Sequence, residues 1–274
     1  MAQHQWKWSK SAKCVSPTYI LMGKVHAVNI VIPMAGVGSR FAQAGYAFPK
    51  PLIDIKGKTM IEAVTANLKP ACGHRFIFIC QREHYEKFDL YNIFKNVTGN
   101  RFEVVLLNGQ TEGAACTVLA AIEYINTGDE LIIANSDQFI ETGIDGFLTA
   151  ARKGNKDGLI MTFEASHPKW SYARTDTSGR VIETAEKKVI SKHATVGVYY
   201  FRRGSDFISA TQAMILKNIR HNNEFYICPV YNEMLLSGKR IFIKEIPAEK
   251  MHGLGTPEDL NQFVKELEKG KITM

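Results

Sequence analysis

The chain has 274 residues, with 45% hydrophobic content, 21 glycines and 9 prolines. That is close to the globular average and argues against disorder, collagen and coiled coil. The net charge of +7 suggests an anionic partner, but Lys7, Lys10, Lys13 and Lys24 lie in an acid-free stretch, 1–27, leaving only three of the seven for 28–274. Five scattered cysteines (Cys14, Cys72, Cys80, Cys116, Cys228) without a Cys-x-x-Cys exclude a disulfide framework or zinc ribbon, and no apolar run is long enough for a membrane helix.

Residues 1–27 lack periodicity and read as a flexible basic leader, with Met22-Gly23-Lys24 as an alternative start; no signal-like apolar core precedes a cleavage site, so a cytoplasmic address is expected. Order is expected from Val28. Val28 to Ile32 (VNIVI) is a β-branched run that reads as a buried parallel strand, followed by a Gly-rich loop from Met34 to Arg40. Leu52 to Ile55 reads as a second strand, closed by Lys56-Gly57-Lys58, and Thr59 as the cap of a helix to Leu68. Next come a strand at Phe76 to Cys80, a helix at Glu83 to Phe94, a strand at Phe102 to Leu107, a helix at Glu112 to Ile125 and a strand at Leu131 to Ala134. Further on, strands are expected at Leu159 to Glu164, Val181 to Ala185, Ala194 to Phe201 and Arg240 to Ile246. Helices are expected at Phe207 to Leu216, Tyr226 to Leu236 and Thr256 to Leu267, the last with Pro257 in its first turn. Alternation at this spacing predicts an α/β fold: a doubly wound, Rossmann-like, mostly parallel sheet in one domain, 28–274.

The sharpest local signal is Pro33-Met34-Ala35-Gly36-Val37-Gly38-Ser39-Arg40-Phe41, directly after the first strand. Glycines at a strand's C-terminal end let backbone N–H groups approach a phosphate. The third glycine of a dinucleotide fingerprint would fall at Phe41, and the first glycine of a Walker A motif ending at Gly57-Lys58-Thr59 would fall at Leu52, so both readings fail. Arg40 supplies a guanidinium suited to bidentate contact with a polyphosphate. Lys50, held between Pro49 and Pro51, is a cation on a restrained backbone.

The combination of strand, GxGSRF loop and PKPL resembles the nucleotidyltransferases that activate sugar 1-phosphates and related phosphate esters, including thymidylyl-, uridylyl- and choline-phosphate cytidylyltransferases of bacterial surface-polymer pathways. The resemblance runs from Asn29 to Phe263 and implies a GT-A-like fold with a nucleotide-binding half, 28–145, and an acceptor-binding half, 146–274. It implies nucleotide binding by Ala35, Gly36, Gly38, Ser39, Asn108, Gln110 and Gly113, and catalysis by Arg40, Lys50 and Asp137. Asp137, after the strand ending in Leu131-Ile132-Ile133-Ala134, is the implied ligand of Mg²⁺. Glu186 and Lys187 fall on the family's acceptor-binding Glu-Lys element, although Lys188 replaces its proline, and Gly197 falls on the following strand. The segment Gly253-Leu254-Gly255-Thr256-Pro257-Glu258-Asp259-Leu260 resembles another family motif, but glycine stands at 253 where that motif has a second metal-binding aspartate. Either Asp137 with phosphates and water then holds the metal, or a carboxylate such as Glu224 substitutes; Asp259 is expected to serve the helix terminus.

The implied reaction joins a nucleoside monophosphate from a nucleoside triphosphate, preferably a pyrimidine, to a small phosphate ester. It releases pyrophosphate and serves surface polysaccharide synthesis. Two other readings stand beside it: a metal-dependent glycosyltransferase, disfavoured because Ser136-Asp137-Gln138 holds one aspartate rather than Asp-x-Asp, and a catalytically silent nucleotide-binding regulator, suggested by Gly253. Nothing basic or aromatic is patterned for nucleic acid. No membrane insertion is expected, and the mixed second half leaves a surface for a homo-oligomer.

Overall fold

The computed structural model describes residues 28–274, so the expected leader and the alternative start lie outside the described residues. One sheet of nine strands runs through both halves: β1 (Val28–Pro33), β2 (His74–Gln81), β3 (Phe102–Leu107), β4 (Leu131–Ala134), β5 (Gly158–Glu164), β6 (Tyr172–Thr175), β7 (Val181–Ala185), β8 (His193–Phe201) and β9 (Ile241–Glu245). The order is β7-β6-β8-β4-β1-β2-β3, with β5 on the other edge of β8 and β9 outside β5. Strands β1 to β4 are mutually parallel and β9 is parallel to β5, whereas β8 runs antiparallel to β4, β5 and β6. The expected doubly wound architecture is therefore present, with an antiparallel excursion in its second half.

The runs VNIVIP and HRFIFICQ are apolar along their length because both faces of the sheet are covered. The pleat sends Ile30, Ile32, Phe76 and Phe78 into one core layer and Val31, Ile77, Ile79 and Ile133 into the other. After β1 come the short helix α1 (Ser39–Gln43) and then α2 (Met60–Asn67), which starts where the sequence predicts: Thr59 accepts from the Glu62 amide and the Glu62 carboxylate accepts from the Thr59 amide, a capping box. The expected Glu83 to Phe94 helix is two helices, α3 (Arg82–Lys87) and α4 (Leu90–Thr98), broken at Asp89, whose φ of 48° is left-handed. The expected Glu112 to Ile125 helix likewise divides into α5 (Ala114–Leu119) and α6 (Ile122–Ile125). Then follow α7 (Asp145–Arg152), α8 (Gly204–Leu216), α9 (Val230–Leu236) and α10 (Pro257–Glu268). Helices α2, α4, α7 and α10 cover the first core layer and α5, α6, α8 and α9 the second.

Helix α7 and strand β6 were not expected from the sequence, and other elements differ from that reading. Leu52 to Ile55 does not enter the main sheet: Asp54–Ile55 pairs only with Lys58–Thr59, around a turn in which Lys56 and Gly57 are both left-handed. Helix α9 begins at Val230, because Pro229 occupies its N-cap; Tyr226 to Cys228, which turn into it, line the cleft wall. A small second sheet pairs Gln138–Ile140 with Met251–Gly253 and carries the segment after β4 to the start of α10. Strand order reverses between β1 and β4, since the connection after β1 packs on one face and the one before β4 on the other. The crevice outside their C-terminal ends is where ligands bind in such sheets.

Candidate active site

Two adjoining cavities open at that crevice, of about 410 and 670 Å³. They share Pro33, Arg40, Lys50, Ala114, Asp137 and Gly255. The first is floored by the glycine loop, with Ala35, Gly36, Gly38 and Ser39 all in its lining. The loop leaves β1 by a hydrogen bond from the Met34 amide to the Ile79 carbonyl, 2.8 Å. Gly38 is left-handed (φ 62°), and a Cβ there would stand 3.0 Å from the Cβ of Lys50. The lysine stem therefore packs directly on the loop.

Lys50 and Asp137 meet at the junction of the two cavities, Nζ to Oδ2 2.8 Å. Asp137 is fixed through its backbone by the Leu254 amide, 2.8 Å, and the carboxylate lies against Gly255, where a Cβ would stand 2.9 Å from Oδ2. The motif carrying Gly255 thus abuts the aspartate because a glycine leaves room for it.

Gln110, Thr111 and Gly113 line the far wall of the first cavity. Gly113 (φ 116°) is pinned between neighbours: the Phe225 amide donates to the Glu112 carbonyl (2.7 Å) and the Ala115 amide to the Phe225 carbonyl (2.9 Å). Asn108, expected to face the nucleobase, is not in this lining; its Oδ1 accepts from Arg82 Nε at 2.9 Å, which turns the side chain toward α3. A residue the sequence reading missed joins the two loops: Gln81, the last residue of β2, donates to the carbonyls of Ala35 (2.9 Å) and Gly109 (3.0 Å) through one amide nitrogen. Nothing in its local sequence distinguishes Gln81; its role comes from the parallel register of β2 with β1 and β3.

The second cavity gathers Glu186, Lys187 and Gly197 with side chains not singled out from sequence, among them Ser171, Tyr199 and Tyr226. Lys187 is left-handed (φ 50°), and its Nζ donates to the Tyr226 hydroxyl at 2.8 Å and lies over that ring. Gly197 (φ 93°) sits at the irregularity in the β8–β5 ladder between Thr195 and Tyr199. The space its missing side chain leaves is taken by Asn135, whose Nδ2 would stand 2.4 Å from a Cβ there. So Gly197 admits a neighbouring side chain from the Asp137 loop.

Glu186 accepts from the Ser171 hydroxyl. Burial raises its carboxyl pKa above the ordinary value, and the Ser171 bond and the Lys187 charge oppose this only in part. Between the ordinary and the raised value the folded chain binds more protons than the unfolded one, so this group makes stability fall as pH rises through that window. Glu186→Gln is expected to raise the thermal midpoint at neutral pH and to leave it unchanged in acid below the ordinary carboxylate range. An equal shift at both pH values would contradict the burial argument.

Among the described residues no group of three or more His, Cys, Asp or Glu side chains is placed to hold a metal ion. Asp259 lies in the first turn of α10, where its amide donates to Thr256 Oγ1 (3.1 Å), and its carboxylate meets Lys169 Nζ at 3.4 Å. Glu224 lines the first cavity as well. Asp137 at the junction of the cavities suits a magnesium ion, which commonly takes one or two protein carboxylates and completes its shell with phosphate oxygens and water.

Comparison with known proteins agrees with the fold. The sequence profile described as nucleotidyl transferase covers residues 30–238. A curated relative, the bifunctional protein GlmU of Methanocaldococcus jannaschii, is 24% identical over 177 residues, which is 64% of this chain; the chain spans 40% of that relative's length. Among solved structures, a nucleoside-diphosphate-sugar pyrophosphorylase from Vibrio cholerae RC9 superposes with a TM-score of 0.75 at 26% identity, covering 86% of this chain and 99% of that one. The inositol-1-phosphate CTP transferase of T. maritima shares the fold (TM-score 0.71, 16% identity, 89% and 96% coverage).

Proposed function

Because the chain belongs to the nucleotidyl transferase family, we propose that it transfers the nucleoside monophosphate of a triphosphate onto a sugar phosphate or similar small phosphate ester. The observation that carries this is the Lys50–Asp137 pair at the junction of two cavities, one floored by a glycine loop and one holding a second lysine. In this reading the amides of Gly36 to Ser39 and the Arg40 guanidinium hold the β- and γ-phosphates. Lys50 leaves Asp137 for the α-phosphate, and Lys187 leaves Tyr226 for the acceptor phosphate.

An acceptor phosphate oxygen attacks the α-phosphorus, a new P–O bond forms, the bond to the β-phosphate oxygen breaks, and pyrophosphate leaves with that electron pair. The nucleophile is already anionic, so no general base is required. What the chain must do is hold two anions in line and offset the charge that develops. Asp137 would hold Mg²⁺, which would neutralise phosphate charge when bound. Gln110 and Gly113, which line the first cavity, would face the base; a pyrimidine base and a role in polysaccharide synthesis rest on the resemblance read from the sequence.

A matrix of the four ribonucleoside triphosphates and dTTP against hexose 1-phosphates, inositol 1-phosphate and choline phosphate, read by pyrophosphate release, tests the reading. Absence of pyrophosphate across the matrix would overturn it. Release of nucleoside diphosphate from a nucleotide-sugar would point instead to glycosyl transfer.

A further inference from the structure

The small sheet of Gln138–Ile140 with Met251–Gly253 has three residue pairs. A two-stranded ladder this short is marginal in water, so its backbone bonds alone hold the register weakly. Yet the register decides what stands against Asp137. Beyond the Gln138–Gly253 pair, the Leu254 amide donates to the Asp137 carbonyl and Gly255 faces the carboxylate. Sliding one strand past the other by a residue would bring Leu254 or Thr256 to the place of Gly255. A Cβ at that place stands 2.9 Å from Asp137 Oδ2, so either side chain would displace the carboxylate.

Glu141 sits at the other end of the ladder. Its amide donates to the Lys250 carbonyl at 3.0 Å, which sets it directly across from Lys250. Its carboxylate takes two donors from that strand: Lys250 Nζ on Oε2 at 2.7 Å and His252 Nε2 on Oε1 at 2.9 Å. Alternate residues share a face, so Lys250 and His252 meet one carboxylate in this register. A slip of one residue would send Glu141 to the opposite face. Lys250 is the more exposed partner, and water weakens its pair. His252, with 11% of its side chain exposed, is the firmer one: its ring lies near those of Phe139 and Phe263, and its Nδ1 is 3.6 Å from Glu266 on α10. The hydrogen bonds from Lys250 and His252 hold the Glu141 carboxyl below its ordinary range, so it is an ionised acceptor at neutral pH. Glu141 and His252 line neither cavity of the candidate active site.

We propose that Glu141, acting through His252, is a positioning residue for the reaction: it locks the register of the small sheet and so holds Asp137 at the junction of the two cavities. The inference rests on the assignment of Asp137 above and adds a pair of residues that act on it from outside the cleft.

The test uses the full chain with the triphosphate and acceptor that release most pyrophosphate. Glu141→Ala should lower kcat about tenfold, within the roughly hundredfold that a misplacement of about 1 Å can cost, and leave both KM values within about twofold. His252→Ala should do the same. The double variant should be no worse than either single one, because the two residues act as a unit. Glu141→Gln, which keeps the length of the side chain and one acceptor oxygen, should recover part of the loss. Hydrogen exchange without substrates gives a reading apart from turnover. The Leu254 amide should exchange about tenfold faster in Glu141→Ala, while the amides of β1 keep their wild-type protection. His252→Ala and Glu141→Gln carry the same test should Glu141→Ala fail to fold. Wild-type kcat in Glu141→Ala and His252→Ala, with Asp137→Ala inactive, would overturn the proposal and leave the Asp137 assignment standing. So would additive losses in the double variant, or a Leu254 amide as protected as in the wild type. Near-normal turnover in Asp137→Ala would overturn that assignment and the proposal together.

Discussion

Asp137→Ala is expected to reduce pyrophosphate release by about a thousandfold, at the upper end of what removing one electrostatic contact to a transition state costs. The aspartate sits where the two cavities meet and, among the described residues, belongs to no cluster of metal-ligating side chains. Its loss therefore removes the carboxylate that, among the described residues, lines both cavities. It also frees Lys50, whose ammonium lies 2.8 Å from it. The variant should then retain or tighten triphosphate binding by calorimetry while losing turnover. Fold integrity should survive, because the backbone bond from Leu254 does not involve the side chain. Near-normal turnover in this variant would sink the assignment.

A large stability loss is expected at Gly113. Its φ of 116° disfavours any L side chain, and a Cβ would stand 2.5 and 2.6 Å from the carbonyl oxygen and amide nitrogen of Phe225. These are backbone atoms engaged in the bonds that tie the Gln110 loop to the segment carrying Tyr226. Neither can retreat without breaking them. Gly113→Ala should cost about 3 kcal/mol or more, a drop in thermal midpoint of about 6–12 °C for a domain of this size. Gly36→Ala is the matched control: a Cβ there meets nothing within 4 Å, and its φ is not left-handed. Its midpoint should stay within about 2 °C of the wild type. Equal midpoints for the two variants would show that the Phe225 clasp does not constrain the fold.

The parallel half of the sheet was legible because burial on both faces writes continuous apolar runs into β1, β2 and β4, and the glycine loop stands beside β1 in sequence. Lys50 and Asp137 could be named, but not paired, since 87 residues separate them and only the sheet order joins them. Residue type and position in a motif said nothing of where Asn108 would turn, because its partner Arg82 comes from the start of α3. The antiparallel β6 and the sheet of Gln138–Ile140 with Met251–Gly253 escaped notice for a related reason: short strands of three or four residues carry too little period to separate from loop.

The amide of Gln81 has a consequence for what the cleft can hold. One nitrogen spends both of its hydrogens, on the carbonyls of Ala35 and Gly109. The glycine loop and the Gly109–Gln110 loop are thereby riveted at one span, set by the width of a single strand. Under the proposed function the cleft would act as a fixed gauge, admitting a nucleotide by the distance from its base edge to its phosphate tail before any contact reads which base it carries.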